Sequence, residues 1–160
     1  MKIRRAEKGD IPALIRLRAF LLDHGDAVYS ATDPASRKAW REMYGQWLVR
    51  RLGSDDAVTL IAERGWDKCA MGIVTGIVDA RPPGPDCITG RSGWVQSLVV
   101  HPSWRKRGVS SALMGELMAW FGSNGVSKVA LQSTTDAEHL YRGLGFQQAV
   151  EPTYQRRVCA

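Results

Sequence analysis

One short basic turn, Arg105-Lys106-Arg107-Gly108-Val109-Ser110, constrains this 160-residue chain more than any other stretch. The apolar run Trp94-Val95-Gln96-Ser97-Leu98-Val99-Val100 precedes it and reads as a buried strand. Ser111-Ala112-Leu113-Met114 follows and reads as a helix. A strand, a glycine turn and a helix in succession commit this part of the chain to a helix layered on a sheet. The same succession makes an anion site. The first turn of a helix leaves backbone N–H groups unpaired, and its dipole favours negative charge there. Gly108 has no Cβ, so the backbone can approach a ligand closely. The expectation is a ligand that carries phosphates.

The net charge of +6 points to an acidic partner: nucleic acid, a membrane surface or a phosphorylated cofactor. The basic groups are short and scattered, at Lys2 to Arg5, Arg50-Arg51, Arg105 to Arg107 and Arg156-Arg157. No long basic tract or nucleic-acid motif accompanies them, so nucleic acid is not the expected partner. No apolar run approaches a membrane span, and Met1-Lys2-Ile3-Arg4-Arg5 is not a signal peptide. Cys69, Cys87 and Cys159 are far apart and lack metal-ligand spacing. Three unpaired thiols fit a reducing compartment, so a cytoplasmic protein without a metal is expected. The length fits a single domain over residues 1–160 with a core of its own.

Hydrophobic period gives the element order. Ile3 lies in a short strand ended by Gly9-Asp10, and Asp10 is the expected N-cap of a helix beginning Ile11-Pro12. Ile11, Leu14, Ile15, Leu17, Arg18 and Leu21 form its one-sided stripe, closed by His24-Gly25-Asp26. Asp33-Pro34 opens a second helix running through Trp40, Tyr44, Trp47 and Leu48 to about Leu52. Val58 to Ala62 and Met71 to Val78 read as strands joined by a hairpin at Gly65 to Lys68. A proline- and glycine-rich loop from Arg81 to Gly93 leads to the strand at Trp94 to Val100. Val109, Leu113, Leu117, Trp120 and Phe121 define the next helix, which Asn124-Gly125 ends. Lys128 to Gln132 reads as a short buried strand and Ala137 to Arg142 as a short helix. Phe146 to Val150 and Tyr154 to Val158 read as final strands. This order predicts an α/β (α+β) fold: a mixed, mostly antiparallel central sheet flanked by helices.

Two segments resemble the GNAT superfamily of acyl-CoA-dependent N-acyltransferases. The first is Val100-His101-Pro102-Ser103-Trp104-Arg105-Lys106-Arg107-Gly108-Val109-Ser110, similar to the family's R/Q-x-x-G-x-G/A signature after a strand and a proline. Ser110 stands where glycine or alanine is usual. The second is Leu140-Tyr141-Arg142-Gly143-Leu144-Gly145-Phe146, which resembles the family's L-Y-x-x-x-G-F segment. The resemblance implies acetyl-CoA as cosubstrate and no metal. It implies that the free backbone of Leu98, Val99 and Val100 pairs with the pantetheine arm. The amides of Lys106, Arg107, Gly108, Val109, Ser110 and Ser111 would cradle the pyrophosphate, with Arg105 and its neighbours adding charge. Tyr141 matches the tyrosine that points at the CoA sulfur. A homodimer is an expectation by resemblance only.

An amine attacking a thioester needs to be neutral, needs its oxyanion stabilised, and needs the leaving thiolate protonated. Proton transfer from a phenol of pKa near 10 to a thiolate of pKa near 8.5 is uphill by roughly 2 kcal/mol, small enough for Tyr141 to act as general acid. The N–H groups of Leu98 to Val100 are candidates to polarise the carbonyl. A lysine-like amine costs about 4–5 kcal/mol to deprotonate at pH 7. Many relatives use a strand glutamate for this, where the present chain has Gln96 and Ser97; Glu63 and a water chain are the alternatives, and His101, beside the turn, is expected to cap it. Asp23, Asp26 and the loops His24 to Pro34 and Arg81 to Gly93 are candidates for acceptor recognition.

The leading expectation is an acetyl-CoA-dependent N-acetyltransferase acting on a primary amine of a small molecule, amino acid or peptide, by direct attack in a ternary complex. Transfer of a longer acyl group, or a non-catalytic acyl-CoA-binding or regulatory domain, are the alternatives.

Overall fold

The computed structural model describes residues 1–23, 29–150, 153–156 and 158. Five strands, β1 (Lys2–Arg5), β2 (Ala57–Glu63), β3 (Ala70–Ala80), β4 (Arg91–Val100) and β5 (Lys128–Leu131), lie side by side in that order. The first four are antiparallel to their neighbours, and β5 runs parallel to β4. A parallel neighbour requires a crossover, which α3 (Val109–Ser123) supplies. The other helices are α1 (Ile11–Leu22), α2 (Pro34–Arg51) and α4 (Glu138–Gly143).

Every residue of β2 is buried, because helices cover the sheet on both faces. Consecutive side chains therefore feed two separate cores. Leu60, Ala62, Val74 and Val100 pack against Leu113, Leu117 and Phe121 of α3. Their neighbours Ile61, Ile73 and Val99 pack against Leu14 and Leu17 of α1 and Tyr44 and Leu48 of α2. Glycines let α3 come close. A Cβ on Gly76 would stand 2.6 Å from Leu117 Cδ1, and one on Gly93 would stand 2.8 Å from the Phe121 ring.

Several local expectations change. The Asp10 carboxylate precedes α1 but makes no cap bond to it. It accepts two hydrogen bonds from Arg4, at 2.7 and 2.9 Å, and one from the Glu7 amide at 2.8 Å. The guanidinium outcompetes the helix amides because both partners of that contact are charged. Asp33 caps α2 as expected, accepting from the Ser36 amide at 2.9 Å. The strand at Lys128 is half exposed instead of buried, because β5 forms the edge of the sheet. Neither Phe146 to Val150 nor the described part of Tyr154 to Val158 forms a strand. Phe146 packs edge-on against Tyr141, while Val150, Tyr154 and Val158 are exposed and bury no apolar face. The stop at His24 to Asp26 lies outside the described residues.

Candidate active site

The pairing of β4 with β5 covers only Ser92 to Val95 against Lys128 to Leu131. At that point β4 also carries a bulge. Gly76 of β3 faces Val95 and Thr75 faces Ser97, which leaves Gln96 as the extra residue. A bulge bends a strand and re-aims its side chains. Beyond it, Ser97 to Val100 keep their β3 partners and have no β5 partner, so Leu98, Val99 and Val100 present one free edge.

That edge leads into the basic turn. His101 donates its amide to the Met71 carbonyl at 2.9 Å. Its Nδ1 accepts from the Ser103 amide at 3.3 Å, capping a single 3-10 turn over Pro102–Trp104. His101 is thus a structural cap. Arg105 reaches back to the Val100 carbonyl with its Nε at 3.4 Å. Arg107 and Arg64 lie over the Trp104 ring at 5.1 and 5.5 Å, a cation–π contact that steers Arg107. Lys106 and Gly108 both adopt the left-handed conformation, with φ of 57° and 75°. Gly108 is the N-cap of α3 and offers no side chain to its amides. A Cβ built on Gly108 meets nothing within 4 Å, so the approach is open. Arg105, Lys106, Arg107 and Ser111 are exposed around it, while Val109 is buried and anchors the helix end.

Tyr141 lies on α4 and packs, like Leu98, against the α3-side core. Burial pushes its hydroxyl above the usual phenol range, and the proximity of Tyr29 adds to this. A phenol so shifted is fully protonated at neutral pH and holds a proton to give.

On the opposite face of the sheet is a cavity of about 380 Å³. Its walls come from Arg18 and Leu22 of α1, Trp40, Met43, Tyr44, Trp47 and Arg50 of α2, Thr75 and Ile77 of β3, and Gln96 and Ser97 at the bulge. Tyr44 stacks on Trp47 with ring centres 6.1 Å apart. Its hydroxyl is buried without a hydrogen-bond partner, and burial raises its pKa. Thr75 is close enough to temper that shift but bonds instead to the Thr59 hydroxyl at 3.1 Å.

The carboxylates singled out from the sequence are engaged elsewhere. Glu63 is buried and accepts from Arg4 Nε at 3.0 Å. It stands four residues along β2 from Thr59, which faces Thr75 and through it Ser97. That separation is roughly 13 Å of strand, too far for a base at the bulge. Asp23 is buried, accepts from Trp40 Nε1 at 2.9 Å and pairs with Arg41. It ties α1 to α2 and is not free to attract an ammonium group. Asp26 lies outside the described residues. No carboxylate or imidazole lines the cavity among the described residues. In the sequence Arg18 falls within the apolar stripe of the first helix, and Tyr44 stands at helical spacing with Trp40 and Trp47, a pattern of core aromatics.

The Acetyltransferase (GNAT) family profile matches residues 21–146, and the chain belongs to that family of acetyltransferase enzymes. No curated protein has a significantly matching sequence. Among solved structures, a GCN5-related N-acetyltransferase from Ralstonia eutropha JMP134 superposes with a TM-score of 0.81 at 23% identity, covering 97% of each chain. A predicted acetyltransferase from Clostridium acetobutylicum, solved with acetyl-CoA, gives 0.81 at 20% identity over 97% of this chain and 95% of that one. An aminoglycoside 6′-N-acetyltransferase from Acinetobacter baumannii gives 0.74 at 14% identity over 99% of each. These likenesses establish the fold. Acetyl-CoA is the family's acetyl donor. Among the described residues there is no metal-ligating cluster and no helix long and apolar enough to cross a membrane.

Proposed function

We propose that the protein transfers an acetyl group from acetyl-CoA to a primary amine of a small molecule, amino acid or peptide, by direct attack in a ternary complex. One observation carries the reading: the free β4 edge and the uncapped start of α3 adjoin, and a cavity opens on the other side of the same bulge. Acetyl-CoA, when bound, supplies an acetyl thioester. The backbone of Leu98, Val99 and Val100 extends its ladder to the pantetheine amides, as a sheet edge does for an added strand. The amides of Lys106 to Ser111 hold the pyrophosphate with the dipole of α3 behind them, and Arg105 to Arg107 supply positive charge. An N–H group within Leu98 to Val100 polarises the acyl carbonyl. Tyr141 passes its hydroxyl proton to the departing sulfur. With Glu63 held by Arg4 and His101 serving as a cap, the amine loses its proton to water in the cavity.

The test is thiol release with acetyl-CoA and a panel of amines, repeated with Tyr141→Phe. General-acid catalysis contributes about 10²- to 10⁴-fold, so kcat should fall by that factor while KM for acetyl-CoA stays put. An unchanged kcat removes Tyr141 from the acid role.

A further inference from the structure

We infer that the acceptor amine carries a carboxylate and that Arg18 is the residue that receives it. This rests on the acetyl-transfer reading above and names the substrate class of the same site.

Arg18 occupies the inward stripe of α1 among Leu14, Leu17 and Leu21, where a cation has no reason to be unless something pairs with it. Its guanidinium carbon lies 4.2 Å from the centre of the Tyr44 ring, so the aromatic face fixes its orientation. Its Nε is buried without a hydrogen-bond partner. The arginines at 4, 41, 51, 64, 81 and 142 each pair with a carboxylate of the protein. Arg18 forms no ion pair among the described residues, and its surroundings contribute only burial and the Tyr44 ring. Arg18 is half-buried, with its Nε enclosed and no carboxylate partner among the described residues; that is unfavourable for a guanidinium, and a carboxylate is the planar anion that its donor fork fits in two parallel hydrogen bonds.

The cavity's shape supports the same ligand. Arg18 and the unpartnered Tyr44 hydroxyl stand on the helical wall, and Gln96 and Ser97 stand at the bulge where the acyl group is held. A small molecule with its carboxylate on Arg18 therefore presents its amine toward the bulge. Between the two ends the walls are Trp40, Met43, Trp47, Leu22 and Ile77, suited to an apolar body. One inward, half-buried guanidinium matches one negative charge, whereas a phosphate would draw a second inward cation, and Arg50 is exposed. Both charged residues in the lining are cations, so polyamines are repelled.

The experiment compares kcat/KM for a series of amino acids with aromatic and aliphatic side chains against their own carboxamides. Phosphoethanolamine and spermidine form two further arms, and acetyl-CoA affinity is measured alongside. The wild type should prefer the acid over its amide by about 30-fold or more, the lower end for a desolvated charge pair, expressed mainly in KM. In Arg18→Gln the ratio of acid to amide should collapse toward one, with acetyl-CoA affinity within about twofold of wild type. Arg18→Lys, which keeps the charge and loses the fork, should retain part of the preference. Equal rates for acid and amide, a preference for phosphoethanolamine or spermidine, no turnover of any acid by a protein that binds acetyl-CoA, or an Arg18→Gln that weakens acid and amide alike would each overturn the assignment. Failure of the wild type to bind acetyl-CoA would instead overturn the acetyl-transfer reading and this assignment with it.

Discussion

Substituting Gly93 with alanine tests whether α3 is held at its observed distance by missing side chains. The three nearest neighbours of a Cβ at Gly93 are Phe121 Cε1, Cδ1 and Cζ, at 2.8, 2.9 and 2.9 Å. Ordinary carbon contacts lie at about 3.5–4.0 Å, so the shortfall is roughly 0.7 Å. The ring cannot yield cheaply: Phe121 is 1% exposed and abuts Gly76 on β3 as well. Overpacking of this kind costs about 1–3 kcal/mol. For a chain of this length each kcal/mol moves Tm by about 2–4 °C, so Gly93→Ala should lower Tm by about 2–12 °C in a thermal melt followed by circular dichroism. Phe121→Leu leaves room for the new methyl at a cost of its own of about 1 kcal/mol. In the double variant the two effects should cancel in part, with a coupling of at least about 1 kcal/mol. Gly115→Ala is the control, since its Cβ meets nothing within 4 Å, and on the exposed face of α3 it should raise stability by about 1 kcal/mol. Additive effects at residues 93 and 121, within about 0.5 kcal/mol, would refute the contact argument.

Two pH experiments follow from the charge arrangement. Arg4 holds the Asp10 carboxyl below the usual carboxylate range, so the stability it confers is complete above the unfolded pKa near 3.9 and is lost as pH falls through the lower folded value. The Tm gap between wild type and Asp10→Asn should therefore be present at pH 7 and close progressively in acid; a constant gap contradicts the assignment. In catalysis, an amine that loses its proton to water should give a kcat/KM profile whose rising limb follows the pKa of the amine used. Because burial raises the Tyr141 pKa, no falling limb should appear below about pH 10. A rising limb fixed near pH 6–7 for every amine would reveal a protein base.

The strand, glycine turn and helix start proposed for the cofactor were legible as backbone because they depend on geometry that few residues satisfy. A left-handed N-cap calls for glycine, and the spacing from Val100 through Gly108 to Leu113 follows from a strand ending and a helix starting. The cavity on the other face was not. Its wall is assembled from residues 18, 44, 75 and 96, each on a different element and each plausible as ordinary core or surface. Arg18 shares the spacing of an apolar stripe, and only its charge sets it apart. Asp10 was misjudged for a related reason: capping preference is local, while Arg4 reaches it from β1. The late strands failed because alternation of apolar residues near Val150 needs a neighbouring edge and a face to cover, and Val150 is 93% exposed.

The central claim is that the turn before α3 holds the pyrophosphate of acetyl-CoA, and calorimetric titration of acetyl-CoA into wild type and Gly108→Glu tests it most directly. Gly108 has φ of 75° and open space around it, so glutamate brings about 1–2 kcal/mol of local strain without a clash and places a carboxylate among the amides proposed to hold the phosphates. The wild type should bind one equivalent, and Gly108→Glu should remain folded and bind at least about 100-fold more weakly. No binding by the wild type, or equal affinity in the two proteins, would contradict the account.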